Sequence, residues 1–368
     1  MSTRKNKFTN KDFQYMSLAL ILARARHGLT GVNPSVGCVI VKNDEIISIG
    51  QTGYKGTPHA EYNAIKNSNE NLEGTKMYVT LEPCNHYGKT APCTNEIIKN
   101  KISEVIYSID DIDTKVKSKS FKILRSKNII VKKGLLKKDI NNFYIPYFYN
   151  RKNNIPYVTG KIAVSKNNLI YSKGTKKITD IHSDKFTHFL RYRNDSIMIS
   201  YKTLNKDNPK LNCRLEGLNK FSPKRIVLDN NLEMKTNSYI FDTVSKNNTI
   251  IFYKNADSSK ISLFKKKGIH LIKSNLINNK YFDLNLVLKK LYKLGCRNLL
   301  IESGNDLSKS IIKNKLFNQF YLFKSSKNLS KLVPYKDFNS FKYLSQNYKS
   351  KSKINTKLGK DSITLYKK

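Results

Sequence analysis

Four side chains in the first hundred residues have the types and spacing of a catalytic zinc site. His59 and Glu61 are separated by one residue, and Cys84 and Cys93 follow them. A catalytic zinc site commonly has three protein ligands and keeps a fourth position open. Zinc bound in this way lowers the pKa of a water molecule to about 7. The pattern predicts that His59, Cys84 and Cys93 bind Zn²⁺, and that Glu61 transfers protons without being a ligand.

The same residues match most of the signature of hydrolytic zinc deaminases. That signature is His-x-Glu followed by Pro-Cys-x-x-Cys, with the glutamate as general acid and base. Here the two cysteines, Cys84 and Cys93, are separated by a longer loop. A structural zinc site is the alternative, since such sites usually have four protein ligands and His86 could supply the fourth. The pattern favours a catalytic site that removes an amino group from a ring carbon.

Short strand-like and helix-like segments alternate around these residues, which predicts an α/β fold with helices covering a sheet. The apolar stretch 16–25 resembles a short signal peptide, but its spacing also fits one face of a helix begun near Asn10 or Asp12, and we adopt the helix. Cys38 lies in an apolar run and is predicted to be core. The predicted strands of this region are 36–41, 46–49, 77–81 and 105–109, and the predicted helices are 60–66 and 94–100.

A second alternation begins after residues 137–155, a segment that contains Pro146, several Asn residues and charges. We place the domain boundary there, which gives domains 1–145 and 155–368. The tail after 325 is rich in Lys, Ser and Asn and yields no clear elements. The predicted strands of the second domain are 157–164, 196–200, 225–228, 249–253 and 298–301, and its predicted helices are 179–191 and 283–294.

Composition restricts the function classes. The net charge is +41, but the 68 basic residues include only ten Arg, whereas nucleic-acid recognition favours Arg. We interpret the charge as a solvated lysine-rich surface, with anionic small substrates and nucleic acid as alternatives. The five cysteines are odd in number and sparse, which predicts a reducing compartment, the cytoplasm. No apolar run reaches the roughly 20 residues that span a bilayer, so no membrane partner is expected.

Three stretches closely resemble the bifunctional riboflavin-biosynthesis deaminase/reductase family, in which the two cysteines are separated by this longer loop. The stretches are Asn33-Pro34-Ser35-Val36-Gly37-Cys38-Val39-Ile40-Val41, Pro58-His59-Ala60-Glu61, and Thr80-Leu81-Glu82-Pro83-Cys84-Asn85-His86-Tyr87-Gly88-Lys89-Thr90-Ala91-Pro92-Cys93. The resemblance implies a cytidine-deaminase-like three-layer αβα domain that acts on a phosphorylated diaminopyrimidine. It also implies that Asn33, His86 and Lys89 bind the substrate, although Lys89 taken alone would be a solvated charge. Asp111 stands where the family has an Asp-Pro-Asn-Pro turn, which this chain lacks.

The second half resembles the family's reductase, which has a dihydrofolate-reductase-like α/β fold. The matching stretches are Pro156-Tyr157-Val158 with Lys161, Ile178-Thr179, Leu190-Arg191, the segment 203–211 with Arg214, the segment 225–229, and Ile301-Glu302-Ser303-Gly304. The resemblance implies a homo-oligomer and hydride transfer from NADPH. The implied substrate residues are Thr175, Arg191, Leu211 and Arg214; the implied catalytic residues are Lys161 and Glu302; the implied cofactor residues are Ala163, Thr203, Asp207 and Gly304.

Several departures from the family pattern leave alternatives open. Residues 165–168 read Ser-Lys-Asn-Asn where the family has a Ser-Leu-Asp-Gly turn, and Lys177 stands where the family has tryptophan. Asn305 follows Gly304 where the family usually has a turn that contains Pro or Gly. One alternative is therefore a deaminase with a degenerate reductase domain. Another, suggested by the net charge, is a deaminase of nucleic-acid bases. Four of the ten Arg residues fall between 191 and 225, which suggests a bidentate anion site or chance clustering.

Overall fold

The structure is a computed structural model that describes residues 7–88, 90–113, 116–175, 177–245, 248–278, 281–302, 304–354 and 359–368. The chain divides into two compact units, Met1–Asn153 and Asn154–Lys368. Each unit is built from a sheet and helices. Among the described residues, no helix combines the length and the apolar character needed to cross a bilayer.

The first unit is organised on a mixed five-stranded sheet. Its strands are β1 (Gly37–Lys42), β2 (Glu45–Gln51), β3 (Lys76–Leu81), β4 (Glu104–Ile109) and β5 (Ile130–Lys133), and its helices are α1 (Asn10–Ala25), α2 (Ala60–Lys66), α3 (Cys93–Lys99), α4 (Lys119–Ser126) and α5 (Lys137–Asn153). The strand order is β2-β1-β3-β4-β5. β1 is antiparallel to β2 and β3, whereas β3, β4 and β5 are parallel. The stretch 16–25 is therefore part of helix α1, as predicted, and Thr9 and Asp12 form its capping box.

Two glycines allow helices to approach the sheet from opposite faces. A Cβ on Gly37 would lie 1.9 Å from the carbonyl oxygen of Ala19 in α1, and a Cβ on Gly50 would lie 2.1 Å from that of Ala60 in α2. Gly50 pairs with Cys38, the residue after Gly37, and successive residues of a strand point to opposite faces. Helices α1 and α2 therefore cover different faces. Cys38 is fully buried, as predicted.

Gly50→Ala is expected to destabilise the first unit by about 1–3 kcal/mol, the usual cost of overpacking. The added methyl group would meet backbone atoms of α2, which cannot move without the whole helix. Urea unfolding of the variant and of Gly88→Ala, whose Cβ would have no atom within 4 Å, measures the effect. Equal stability of the two variants would contradict the prediction.

The segment 137–155, predicted as the boundary, is largely helix α5, and its residues up to Asn153 belong to the first unit. Pro146 lies inside this helix. The helix is held by Tyr144, which is buried; its hydroxyl donates to the carbonyl oxygen of Ser35 at 2.9 Å and lies 2.7 Å from Oγ1 of Thr80. The unit therefore ends about eight residues later than the predicted limit at 145.

The second unit contains a nine-stranded sheet in the order β11-β10-β9-β8-β14-β6-β15-β18-β17. Its strands are β6 (Tyr157–Val164), β7 (Leu169–Ser172), β8 (Ser196–Ser200), β9 (Lys224–Leu228), β10 (Thr249–Tyr253), β11 (His270–Lys273), β12 (Leu276–Ile277), β13 (Tyr281–Phe282), β14 (Asn298–Glu302), β15 (Gln319–Lys324), β16 (Tyr335–Asp337), β17 (Ser350–Ile354) and β18 (Ser362–Lys367). β7 pairs with β16, and β12 with β13, outside the main sheet.

Helices connect the parallel strands of this sheet. They are α6 (Ile181–Tyr192), α7 (Tyr201–Asp207), α8 (Tyr239–Asp242), α9 (Ser258–Lys266), α10 (Leu284–Lys293), α11 (Asn305–Lys313) and α12 (Phe341–Asn347). The tail after 325, which yielded no prediction, contributes β16, α12, β17 and β18. Strands β6 and β14 are neighbours near the middle of the sheet, and the candidate catalytic residues are Glu302, which ends β14, and its neighbour Lys161 within β6.

Candidate active sites

Three predicted metal ligands converge in the first unit although they come from three different segments. His59 directly precedes α2, Cys84 follows β3, and Cys93 is the first residue of α3. Nδ1 of His59 lies 3.4 Å from Sγ of Cys84 and 3.4 Å from Sγ of Cys93. One ligand atom from each residue lies within 4.8 Å of the other two. This donor set and spacing fit a zinc ion held by one nitrogen and two sulfur atoms.

The electrostatic surroundings favour a thiolate at Cys84. Its Sγ accepts the backbone N–H of Cys93 at 3.3 Å, at the start of a helix. Hydrogen bonds from the Cys93 thiol and from His59 lower the pKa of Cys84 to about 4. The hydrogen bond between the two thiols, together with burial, raises the pKa of Cys93. The hydrogen bond to Cys84 raises the pKa of His59. These groups share protons that a divalent cation would displace, because metal binding requires deprotonated ligands.

Glu61 lies in the first turn of α2, two residues after His59, and only 4% of it is exposed. Burial, and then the negative charge of Cys84, raise the pKa of Glu61 to about 7. A carboxylate with a pKa near neutrality is well matched to both accept and donate a proton. The arrangement places a buried carboxyl group with a pKa near neutrality beside the three ligand residues.

The residues predicted to bind the deaminase substrate have different environments. Nδ2 of Asn33 donates to the carbonyl oxygen of Gly56 at 2.9 Å, which holds the amide close to the turn before His59. Nδ1 of His86 is buried and has no hydrogen-bond partner among the described residues. His86 does not join the cluster of three ligands, so the structure gives no support to a fourth protein ligand. Lys89 lies outside the described residues.

The predicted catalytic residues of the second unit lie side by side on two parallel strands, Glu302 at the end of β14 and Lys161 within β6. Lys161 of β6 pairs in register with Glu302 of β14. Burial lowers the pKa of Lys161. Burial acts to raise the pKa of Glu302, but the charge and hydrogen bonds of Arg191 lower it overall. Nε and Nη2 of Arg191 donate to the two carboxylate oxygens at 2.7 and 2.8 Å.

Arg191 is thus already paired with a carboxylate of its own chain. Its Nη1 also donates to the carbonyl oxygen of Asn212 at 3.1 Å. Arg214 lies nearby, since the charge of Arg191 contributes to lowering its pKa, and its Nη1 donates to Oδ1 of Asn212 at 2.9 Å. The phosphate-binding roles of Arg191 and Arg214 remain predictions, and for Arg191 the role would require an exchange of partners.

His188 is a residue of this cluster that the sequence analysis missed. Its Nδ1 lies 3.2 Å from the carbonyl oxygen of Asn212 and 3.3 Å from the backbone N–H of Arg214. Burial, and then the two guanidinium groups, lower the pKa of His188 to about 4. The available signal was helical spacing, because Asp184, His188 and Arg191 are four and three residues apart on α6 and so share one face.

Of the four residues predicted to contact the cofactor, Gly304 and Thr203 lie close together. Gly304 directly precedes α11, and a Cβ on it would lie 3.4 Å from Oγ1 of Thr203 in α7. Asp207 ends the same helix α7, and burial raises its pKa. Ala163 lies on β6 and pairs with Phe323 of β15.

The clustered arginines have structural roles that the sequence did not predict. The guanidinium of Arg225 is buried and donates to Thr243, Asn248 and Thr249, so this residue contributes no anion site. Arg193 stacks over the ring of Phe189.

The two remaining predicted substrate residues, Leu211 and Thr175, differ in exposure. Leu211 is 1% exposed and its side chain packs in the core, and its proximity to the substrate phosphate stays a prediction. Thr175 is half-buried, and its N–H donates to Ser172.

Lys177, which stands where the family has tryptophan, forms an ion pair with Asp184 on α6. Asp184 also accepts a hydrogen bond from Thr179. The aromatic side chain is therefore replaced by a polar contact that ties the preceding loop to the helix carrying Arg191.

Comparisons with known proteins match both units. Residues 9–109 match the family model for the cytidine and deoxycytidylate deaminase zinc-binding region, and residues 156–330 match that for the RibD C-terminal domain. The riboflavin biosynthesis protein RibD of Aquifex aeolicus is 31% identical, over 97% of this chain and 98% of that protein. The RibD of Actinobacillus pleuropneumoniae is 33% identical over 86% and 84% of the two chains.

Solved structures agree with these matches. The structure of Acinetobacter baumannii RibD (form 1) has a TM-score of 0.82 and 25% identity, covering 97% of this chain and 98% of that one. A deaminase/reductase from Thermotoga maritima has a TM-score of 0.80 at the same identity and coverage. The predicted fold class and enzyme classes are thereby confirmed. The chain belongs to the bifunctional riboflavin-biosynthesis family, in which a zinc-binding deaminase domain is fused to a reductase domain.

Proposed function

We propose that this chain catalyses two consecutive steps of riboflavin synthesis. The first is hydrolytic deamination of 2,5-diamino-6-ribosylamino-4(3H)-pyrimidinone 5′-phosphate at the 2-amino position. The second is NADPH-dependent reduction of the ribosyl group of the product, 5-amino-6-(5-phosphoribosylamino)uracil, to ribityl. The observation that carries the proposal is the convergence of His59, Cys84 and Cys93 beside the buried Glu61.

The first step depends on what Glu61 does with protons. Zinc, when held by His59, Cys84 and Cys93, supplies the activation that makes water a nucleophile near neutral pH. Glu61 accepts one proton from that water and delivers it to the ring nitrogen, and then carries the second proton of the same oxygen to the amino group, which leaves as ammonia. Its pKa of about 7 suits both roles. Asn33, His86 and Lys89 are proposed to bind the pyrimidine and its phosphate.

The second step is proposed to use the cluster formed by Lys161 within β6 and Glu302 at the end of β14. NADPH, when bound, supplies the hydride that reduces C1′ of the sugar. Lys161 and Glu302 orient the sugar and provide a proton, while Arg191 and Arg214 are the proposed contacts to its phosphate. The segment that begins α11 fits an anionic cofactor, because Gly304 has no side chain and helix N-termini favour phosphate. Thr203, Asp207 and Ala163 would contact the same cofactor.

A degenerate reductase domain is the second candidate, and the departures at 165–168, Lys177 and Asn305 motivate it. The buried group of Lys161, Glu302 and Arg191 argues against this candidate, because burying three charged groups without a function is costly.

The family match favours free pyrimidine nucleotides over polynucleotides as substrates. The homo-oligomeric state and the cytoplasmic location stay predictions.

The full-length chain assayed with the diaminopyrimidine phosphate tests both steps. Ammonia release is expected without NADPH, and NADPH oxidation is expected only with the deaminated compound or after the first step has run. Absence of NADPH oxidation on the deaminated compound would leave only the deaminase. Deamination of RNA or DNA without activity on the free pyrimidine would overturn the proposal.

Removing zinc with a chelator is expected to abolish ammonia release while NADPH oxidation on the deaminated compound continues. The physical reason is that the three ligand residues belong to the first unit, whereas Lys161 and Glu302 belong to the second. Parallel measurement of zinc content, ammonia and NADPH absorbance checks this, and added Zn²⁺ should restore the lost activity. Equal loss of both activities would contradict separate sites.

A further inference from the structure

Glu82 is a buried carboxylate that the reaction described above does not use. It is 3% exposed and lies between the end of β3 and the ligand Cys84, from which only Pro83 separates it. Its oxygens accept three backbone N–H groups from the segment after β4: Asp111 at 3.3 Å, Ser118 at 2.9 Å and Ser120 at 3.2 Å. A carboxylate surrounded by amide donors is one of the stronger hydrogen-bonding arrangements in proteins.

These contacts give α4 an amino-terminal cap that its own sequence does not provide. Ser118 is the residue before the helix, and its side chain makes no capping hydrogen bond. The first turn of a helix has amide groups that need acceptors, and a negative charge there is favourable. Glu82, which lies more than thirty residues earlier in the chain, supplies both the hydrogen-bond acceptor and the negative charge.

A second bond ties the same helix to the backbone beside the ligand. The hydroxyl of Ser120, which is fully buried, donates to the carbonyl oxygen of Pro83 at 2.6 Å. The other side of the segment is also anchored, because Oδ1 of Asp111 accepts the hydroxyl of Tyr147 on α5 at 3.1 Å. The backbone on the amino-terminal side of Cys84 is thus connected to α4 and α5 by side chains that are themselves held.

We propose that Glu82 is a positioning residue of the metal centre, which fixes the backbone at Cys84 by capping α4. This inference rests on the proposed zinc site. Cys84 is the only one of the three ligands that lies in an irregular segment among the described residues, while His59 and Cys93 border helices. Its Sγ therefore depends on contacts outside regular structure, and Glu82 and Ser120 provide them. Residues that orient metal ligands in this way commonly change metal affinity 10–100-fold when they are replaced.

Glu82→Gln in the full chain is the test. Glutamine keeps the shape, but its amide nitrogen would face an N–H donor, so at least one buried donor loses its acceptor. We expect zinc to dissociate at least ten-fold faster into a chelator. We also expect the thiolate-to-metal charge-transfer absorption of the Co²⁺-substituted protein to be weaker or shifted. NADPH oxidation on the deaminated compound should be unchanged.

Glu104→Gln is the matched control, because Glu104 is 6% exposed, begins β4 of the same unit, and pairs with Lys132 at 2.6 Å. Its zinc release and Co²⁺ spectrum should equal those of the unaltered chain. If Glu82→Gln releases zinc within two-fold of the unaltered chain and keeps its Co²⁺ spectrum, Glu82 has no positioning role. An equal effect of both variants would show general destabilisation and also overturn the inference. If the unaltered chain binds no zinc, the proposed function fails first.

Discussion

Glu61→Gln is expected to lower the rate of deamination by about 10²–10⁴-fold, the usual contribution of a general acid and base. Glutamine has nearly the same volume, so the 4%-exposed site should accept it without a cavity. It cannot take a proton from water or return one to the leaving ammonia. Ammonia release under saturating substrate measures the loss, and zinc content should stay at the level of the unaltered chain.

Two further measurements separate proton transfer from metal binding. Reduction of the deaminated compound should proceed at the original rate, because Lys161 and Glu302 belong to the other unit. Glu104→Gln makes the same change at another buried carboxylate of the first unit and should retain deamination. Persistence of deamination in Glu61→Gln would remove its role as proton carrier. Loss of zinc would instead place Glu61 among the groups that hold the metal.

The local features of the first unit were predictable because they depend on short-range signals. Helix α2 covers the predicted residues 60–66, and α3 begins one residue before its predicted start. Strands β1, β3 and β4 match apolar runs that are buried in the sheet, whereas β2 matches its predicted run but exposes Ile46 and Ile49. Ligand types at characteristic spacing then sufficed to group His59, Cys84 and Cys93, since zinc has few preferred ligands.

Helix α5 shows where local signals failed. Pro146 usually costs about 3 kcal/mol inside a helix, so its presence argued for a break. The structure keeps the helix because buried Tyr144 and half-buried aromatic residues beside it pack against the first core. Tertiary packing of this kind outweighs local propensity. The same reason applies to β15 and β18, which pair with each other from distant parts of the chain.

The roles of buried charged residues could not be read from the sequence for a related reason. Arg191 and Arg225 stood out by composition, but whether an arginine meets a ligand or its own chain depends on a partner far away. The partner of Arg191 is Glu302, 111 residues later, and that of Glu82 is the segment before α4. His188 had only helical spacing to indicate it. The sequence indicated which charged residues could be functional, but their partners depend on the tertiary structure.

Arg191→Met is expected to lower the free energy of unfolding of the second unit by about 3–5 kcal/mol, because it leaves Glu302 charged and unpaired in a buried site. Reduction of the deaminated compound should fall at least about 100-fold, since the same pair holds Glu302 beside Lys161. Ammonia release should be unchanged. Calorimetric unfolding together with both activity assays measures these effects.

The pH dependence of stability distinguishes this cause from simple loss of packing. In the unaltered chain the pKa of Glu302 lies below its ordinary value of 4.5. The charged carboxylate therefore contributes its full stability above pH 4.5, and this contribution is lost as the pH falls through the lowered pKa. In Arg191→Met, burial is opposed only by the charges of Lys161 and His188, and we expect it to raise the pKa of Glu302. The variant should therefore become less stable as the pH rises through that raised value, and the deficit should shrink towards acid pH.

The double variant Arg191→Met with Glu302→Gln tests whether the unpaired charge of Glu302 causes the loss of stability. Removing both charges eliminates the unpaired carboxylate of Glu302, so much of the lost stability should return, except for what buried Lys161 loses with that carboxylate. The reductase activity should not return, because the group proposed to protonate the sugar is gone. A double variant as unstable as Arg191→Met would mean that the guanidinium stabilises the unit through Asn212 instead of through Glu302. Recovered activity would remove Glu302 from the proposed reaction.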